Sequence, residues 1–177
     1  MYHHFIQDPD MENVMADSMI VRAHACSAGA PQNHLETPKE QALGRSAGGF
    51  STKTHIITEG LGNPLRFILT GGQVSDITQA YALFEGVDAE YAIMDKAYDA
   101  DKLIKQLIQQ DIIPVIPPKA NRKEQREYDK HLYKERHLIE CFIGKIKQFR
   151  RVFSRFDKWA KNYLNFILFA STLIWLR

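Results

Sequence analysis

The chain has 177 residues, 45% hydrophobic and 25% charged, with a net charge of +2, the balance of one ordinary globular domain with a full core. Neither a membrane span nor a signal peptide is expected. The apolar run Phe166–Leu176 has 11 residues against the roughly 20 a bilayer needs, and no basic region precedes an apolar run at the N-terminus.

In chain order, Val14–Ala23 is apolar and β-branched enough for a strand, with Asp17 inside it. Residues 26–49 turn polar and loop-like, ending in "GRSAGG". "STKTHIITE", "GLGN" and "PLRFILTGG" predict a hairpin with a four-residue loop. Ser75 or Asp76 caps a helix through about Glu85. "AEYAIMD" is a further strand with Asp95 at its C-terminal end. Asp99 or Asp101 opens a helix with Leu103, Ile104 and Leu107 on one side. "DIIPVIPPK" is a short buried strand stopped by Pro117 and Pro118. Strand, helix and strand make a right-handed βαβ unit. A polar connection over residues 120–131 leads to a long amphipathic helix, a turn near Arg155–Lys158 and a buried terminal helix. The class is α/β, a mixed sheet of about five strands with helices on both faces, in a single domain over residues 1–177.

Charge is unevenly spread. Residues 1–118 hold 8 Lys and Arg against 15 Asp and Glu; residues 119–161 hold 14 against 6. A basic third on an acidic body suits a polyanion or a solvated charged helix. At roughly 100° per residue, Tyr133, Arg136, Glu140, Gly144, Lys147 and Arg151 share one helical stripe. Leu138, Phe142, Ile146, Phe149 and Phe153 share the opposite one. The polar stripe is either a solvated face with an Arg136–Glu140 pair, worth about 0.3–0.5 kcal/mol, or a metal-binding carboxylate flanked by phosphate-binding cations.

Three acids stand out. Asp17 interrupts an apolar strand, Asp95 ends one, and Glu140 sits on the helix stripe. Chemistry in open α/β sheets gathers beyond the carboxyl ends of parallel strands. Asp17 is either a strand-end or edge residue facing water, or a partner of Asp95 on an adjacent strand. In the second case a divalent cation must offset the repulsion, and Glu140 closes the site from the helix.

The segment "YKERHLIECFIGKIK" fits Y-x2-R-x3-E-x6-K with Tyr133, Arg136, Glu140 and Lys147. That signature resembles one branch of the bacterial DDE insertion-sequence transposases. "ADSMIVRAHACSAGA", "GRSAGGFSTKTH", "GNPLRFILTGGQVSD" and "IMDKAYDAD" resemble other segments of the same family, in order, across nearly the whole chain. The resemblance implies an RNase H-like fold, with Asp17, Asp95 and Glu140 as catalytic and metal-binding acids and Mg²⁺ or Mn²⁺ as a pair of ions. It also implies cleavage of double-stranded DNA at inverted-repeat transposon ends and strand transfer into target DNA. Arg136 and Lys147 become phosphate contacts, which position a strand without reading it. Tyr133 stacks on a base or holds Glu140 through its hydroxyl.

Further expected DNA contacts are Arg150, Arg151, Lys96, Arg45 and His24. His55 either lines the cleft or takes a surface or strand position. His3 and His4 lie near the terminus, and Trp159 and Trp175 are expected in the core. Met19 and Ala47 depart from the family, which has Thr and a basic residue there. The family's N-terminal DNA-binding region is expected to be absent, which suggests a partner product of an upstream reading frame or a homo-oligomer. Cys26 and Cys141 lack metal-site spacing, and a reducing, nucleoid-associated cytoplasmic setting is expected. Two other readings stay open: a DNA-binding remnant that regulates transposition without cutting, and a stand-alone RNase H-like nuclease.

Overall fold

A computed structural model describes residues 9–28 and 41–176; His3, His4 and residues 29–40 of the polar stretch lie outside them. One mixed sheet of six strands organises the chain. The strands are β1 (Asn13–Arg22), β2 (Gly44–Ser46), β3 (Gly49–Thr58), β4 (Pro64–Gly71), β5 (Tyr91–Met94) and β6 (Ile113–Val115). The sixth strand, β2, falls in the stretch expected to be loop. Its three residues pair antiparallel with β3, Gly44 opposite Ser51 and Ser46 opposite Gly49. This long-range pairing has no local hydrophobic pattern to announce it.

Across the sheet the order is β2, β3, β1, β5, β6, with β4 also paired to β3. β1 runs antiparallel to β3 and parallel to β5. The expected βαβ unit is present: β5 and β6 are parallel, joined through helix α3 (Asp101–Gln109). The β3–β4 loop runs over residues 59–63, because Glu59 folds back and its Oε1 accepts the N–H groups of Leu61 and Asn63. Gly62 there has φ +84°, a region only glycine enters freely.

Strand alternation sends side chains to opposite faces. Val14, Ala16, Ala92 and Met94 face helix α2 (Asp76–Leu83) and α3, packing on Ala80, Leu83, Leu103 and Leu107. Met15, Met19, Ile56 and Ile93 face helices α4 (His137–Ile146) and α6 (Ala160–Trp175), packing on Ile139, Phe142, Ile146, Tyr163 and Ile167. Burying each such side chain is worth about 1.5–3 kcal/mol. These two layers enclose the sheet, in which β1 and β5 run parallel with their carboxyl ends at the same edge.

The long amphipathic helix is broken. A 3-10 turn (Leu132–Arg136) leads into α4, then Phe149 turns extended (φ −80°, ψ 113°) and a short α5 (Arg150–Phe153) follows. Phe153 is therefore 64% exposed instead of joining the apolar stripe. Tertiary pairing explains the break. The chain must return to the end of β1, where Arg155 N–H donates to Arg22 O and His24 N–H to Arg155 O. Arg155 is fully buried, its guanidinium donating to the carbonyls of Ala42, Asp157 and Lys158 and to the Thr52 hydroxyl. Tyr163 Oη donates to Val152 O at 2.8 Å and fixes α5.

The terminal helix buries Tyr163, Ile167 and Ala170 but leaves Phe169 exposed. Trp159 is exposed rather than in the core, since it precedes the helix on the surface turn. Trp175 is half-buried and donates through Nε1 to Pro64 O at 3.2 Å. Among the described residues, no helix is long and apolar enough to cross a membrane.

Candidate active site

Asp17 lies within β1, between β3 and β5, so it is neither a strand end nor an edge residue. The parallel ladder with β5 ends at Ala16 opposite Met94. Asp17 is the next residue on β1, and Asp95 is the first residue past the end of β5. By strand alternation Asp17 follows the parity of Met15, which faces α4. Asp17 Oδ1 accepts the Ser18 N–H at 2.7 Å. Asp95 caps the 3-10 turn Lys96–Tyr98, its Oδ1 accepting the Ala97 N–H at 2.7 Å.

Glu140 projects from the first turns of α4, on the exposed side opposite Ile139 and Phe142. Between Glu140 and Asp17 stands Arg136. Its Nη1 lies 3.3 Å from Asp17 Oδ2, and its Nη2 donates to Glu140 Oε1. The i,i+4 pair expected from the sequence is thus one arm of a three-residue bridge. Tyr133 packs edge-on against Tyr128, with ring centroids 5.5 Å apart, and beneath the Arg136 guanidinium at 5.9 Å.

Burial pushes the Asp17 carboxyl above its ordinary range; the Ser18 N–H and Arg136 oppose this, while Asp95 and Glu140 add to it. The charges of Asp95 and Glu140 thus both reach Asp17. Burial also pushes the Tyr98 hydroxyl well up, with Asp76, Asp17 and Asp95 adding. Tyr98 is buried beneath the turn that Asp95 caps, a neighbour that the sequence pattern did not single out.

The other expected residues spread outward. Lys96 is exposed directly after Asp95. Lys147 is exposed at the end of α4, seven residues and roughly 10 Å of helix beyond Glu140. The helix break carries Arg150 and Arg151 onto α5, where Arg151 covers the Phe166 ring at 4.7 Å. Arg45 is exposed on β2, its guanidinium 5.2 Å from the Phe50 ring. His24, just past the end of β1, stacks on Phe156 at 4.9 Å.

His55 takes neither a cleft-lining nor a surface position. It is fully buried on β3, sharing a hydrogen bond with Thr70 Oγ1 at 2.8 Å and lying 3.4 Å from Asp76 Oδ1. Burial pushes its pKa down to about 4, despite Asp76. Lys53 joins that network, 3.2 Å from Asp76. "STKTHIIT" forms the expected hairpin strand, and β3 is covered on both faces, so its polar side chains are buried too.

A second network also escaped the sequence reading. The side chain of Asp99 is fully buried and takes Arg122 Nε at 2.5 Å, the Lys119 N–H at 2.8 Å and Arg126. A clue existed in the two arginines of "NRKEQRE", spaced four apart, but their partner is more than 20 residues away.

Among the described residues, no group of three or more His, Cys, Asp or Glu side chains is gathered closely enough to hold a metal ion as placed. The donor chemistry still fits a hard divalent cation. Asp17, Asp95 and Glu140 offer carboxylate oxygens on one face of the sheet, and a positive group, Arg136, already lies between two of them.

The Transposase DDE domain family matches residues 14–175. A candidate transposase for insertion sequence element IS6501 of Brucella ovis is 38% identical over 131 residues, which is 72% of this chain and 100% of that protein. A candidate transposase for IS402 of Burkholderia cepacia is 29% identical over 135 residues, 70% of this chain and 62% of that protein. The piggyBac transposase, solved by cryo-EM in a synaptic complex with hairpin DNA, is similar over 99% of this chain with a TM-score of 0.57 at 12% identity. This chain spans 49% of that one, and the likeness speaks for the fold alone.

Proposed function

The chain belongs to the Transposase DDE domain family, with an RNase H-like sheet, and from that premise we propose that Asp17, Asp95 and Glu140 are the catalytic acids of metal-dependent DNA cleavage and strand transfer. The substrate in this reading is double-stranded DNA at the inverted-repeat ends of a transposon, followed by target DNA. One observation carries the proposal. The parallel pairing of β1 with β5 ends one residue before both Asp17 and Asp95, and Arg136 ties Asp17 to Glu140.

Mg²⁺ or Mn²⁺, two ions in this reading, would be held by these three carboxylates and would supply Lewis-acid polarisation of the phosphoryl oxygens and an activated water or 3′-hydroxyl. The chain's own residues do the rest. Ser18 N–H and Ala97 N–H fix one oxygen each of Asp17 and Asp95; the second oxygen of Asp95 faces the reacting centre, and that of Asp17 joins it once Arg136 withdraws. α4 carries Glu140 to the same side, anchored through Ile139 and Phe142 in the core. Lys96 and Lys147, both exposed, meet the phosphates on either side of the scissile bond. Arg45, His24, Arg150 and Arg151 extend that basic rim along the duplex. These contacts position the backbone and leave sequence choice to others.

The Arg136 bridge also favours a second reading, in which the chain binds DNA without cutting it, because two of the acids are already neutralised. One assay separates the two. The chain is incubated with a labelled duplex carrying the flanking inverted repeats, with and without Mn²⁺. Mn²⁺-dependent nicking at the repeat end, lost in Asp95→Asn, supports catalysis. A gel shift with no nicking at any Mn²⁺ concentration supports the binding-only reading. Degradation of RNA–DNA hybrids without end preference points to a nuclease.

A further inference from the structure

Arg136 does something in this structure that a phosphate-binding cation does not need to do. Its two terminal nitrogens reach two acids that lie far apart in the chain: Nη1 sits 3.3 Å from Asp17 Oδ2 and Nη2 donates to Glu140. We propose that Arg136 is a stand-in cation, a guanidinium latch that bridges Asp17 and Glu140 in the free protein and leaves when metal and DNA arrive. This rests on the reading of Asp17, Asp95 and Glu140 as the metal-holding acids.

Three observations support it. First, Asp17 and Glu140 need a positive charge between them: both reach the same guanidinium, and two carboxylates drawn to one point repel without it. Arg136 is the cation that the structure puts in contact with both of them. Its planar fork suits two acceptors at once, which a lysine ammonium suits poorly.

Second, the latch is built to open. Its acceptors reach solvent, with the Asp17 side chain 23% and the Glu140 side chain 52% exposed, so the bridge parts without unfolding anything. It ends the 3-10 turn and is followed by α4 at His137, so its backbone is held while its side chain is free to rotate. Tyr133, braced by Tyr128, gives the guanidinium an aromatic face to slide over.

Third, the neighbouring arginines show what a permanent clamp looks like. Arg122 and Arg126 close on Asp99, whose side chain is fully buried. Arg136 instead holds Glu140, whose side chain is 52% exposed.

The consequence is coupling. A phosphate that draws Arg136 away frees Asp17 and Glu140 for the cation, and the cation frees Arg136 for phosphate. By linkage each must favour the other, so the site is loaded when DNA is present.

The test is Mn²⁺ affinity of the full chain without DNA, read by titration calorimetry and by the EPR signal of free Mn²⁺. Wild type is compared with Arg136→Gln and Arg136→Lys, each checked for folding by circular dichroism. Removing the latch should tighten Mn²⁺ binding about tenfold. Arg136→Lys, which keeps the charge but loses the fork, should tighten it too, by a smaller factor.

Equal affinity in all three proteins would overturn the latch and leave the metal reading standing. So would tightening in Arg136→Gln alone, because simple loss of charge then explains it. If none of the three takes up Mn²⁺, the metal reading fails and takes the latch with it.

Discussion

Two aspartates bracket one 3-10 turn, and they meet opposite fates. Asp95 caps its start and faces the open side with Asp17; Asp99 closes its end and is sealed inside. Burial works against the charge of Asp99, but Arg122, the Lys119 N–H and Arg126 outweigh it, and its carboxyl lies below the ordinary range. At Asp17 burial wins, and the carboxyl lies above it. A carboxylate saturated with donors is a fastener. A half-buried carboxylate crowded by other acids, with one loosely held arginine, keeps a standing demand for positive charge. Two aspartates four positions apart on one turn thus have opposite surroundings: Asp99 is sealed among donors, and Asp95 caps the open end.

That contrast can be broken by exchanging the two kinds of loss. Asp95→Asn should cut Mn²⁺-dependent nicking by about 1,000-fold or more with its thermal midpoint nearly unchanged. A variant that still nicks at the wild-type rate would remove Asp95 from the open site. Asp99→Ala should do the reverse first: it leaves two arginines and a backbone N–H without their acceptor and should cost about 2–4 kcal/mol in urea unfolding. A midpoint shift too small to resolve would mean that the clamp is decorative.

Lys147→Ala should weaken binding of any duplex by a few-fold and lower the salt slope by about one. Filter binding across a salt series checks it, and an unaltered slope would move Lys147 off the phosphate path.

pH sharpens the comparison most finely. Asp17 has a raised folded pKa, so its favourable contribution is present below the unfolded value of 3.8 and is lost as pH rises through the folded value. At neutral pH without metal, ionised Asp17 is a burden, and Asp17→Asn should stabilise the fold by about 1 kcal/mol. The gain should fade as pH falls through the folded value and be gone by about 3.8. Asp99 has a lowered folded pKa, so its contribution is present above 3.8 and is lost on acidification through its folded value. The two variants should therefore show opposite pH trends in thermal melts, and parallel trends would erase the distinction.

Much of the site was legible because it rests on local periodicity. An Asp inside "VMADSMIVRA", an Asp closing "AEYAIMD" and a Glu at i+4 from an Arg are readable from spacing; the two strands form where the pattern put them, and the helix forms only over His137–Ile146. The reading failed where a distant partner overrode the local pattern. Helical spacing carried Phe149 and Phe153 along one stripe, but the return of Arg155 to β1 breaks the helix between them. Alternation on β3 gave the faces, yet covering both faces buried His55 and Lys53 with Asp76. Gly44–Ser46 had no strand pattern and became a strand through β3 alone.

The sequence by itself determined five of the six strands, the order of the elements, the basic C-terminal third and the three acids worth watching, because hydrophobic period and charge are properties of neighbouring residues. Only the tertiary structure decided that Asp17 sits in a central strand beside Asp95, that Asp99 is sealed by two arginines, and that Arg136 lies between Asp17 and Glu140. Those facts depend on which residues meet across more than 20, and in one case 119, positions of chain, and contacts at that range are set by packing of the whole sheet, which no short window of sequence contains.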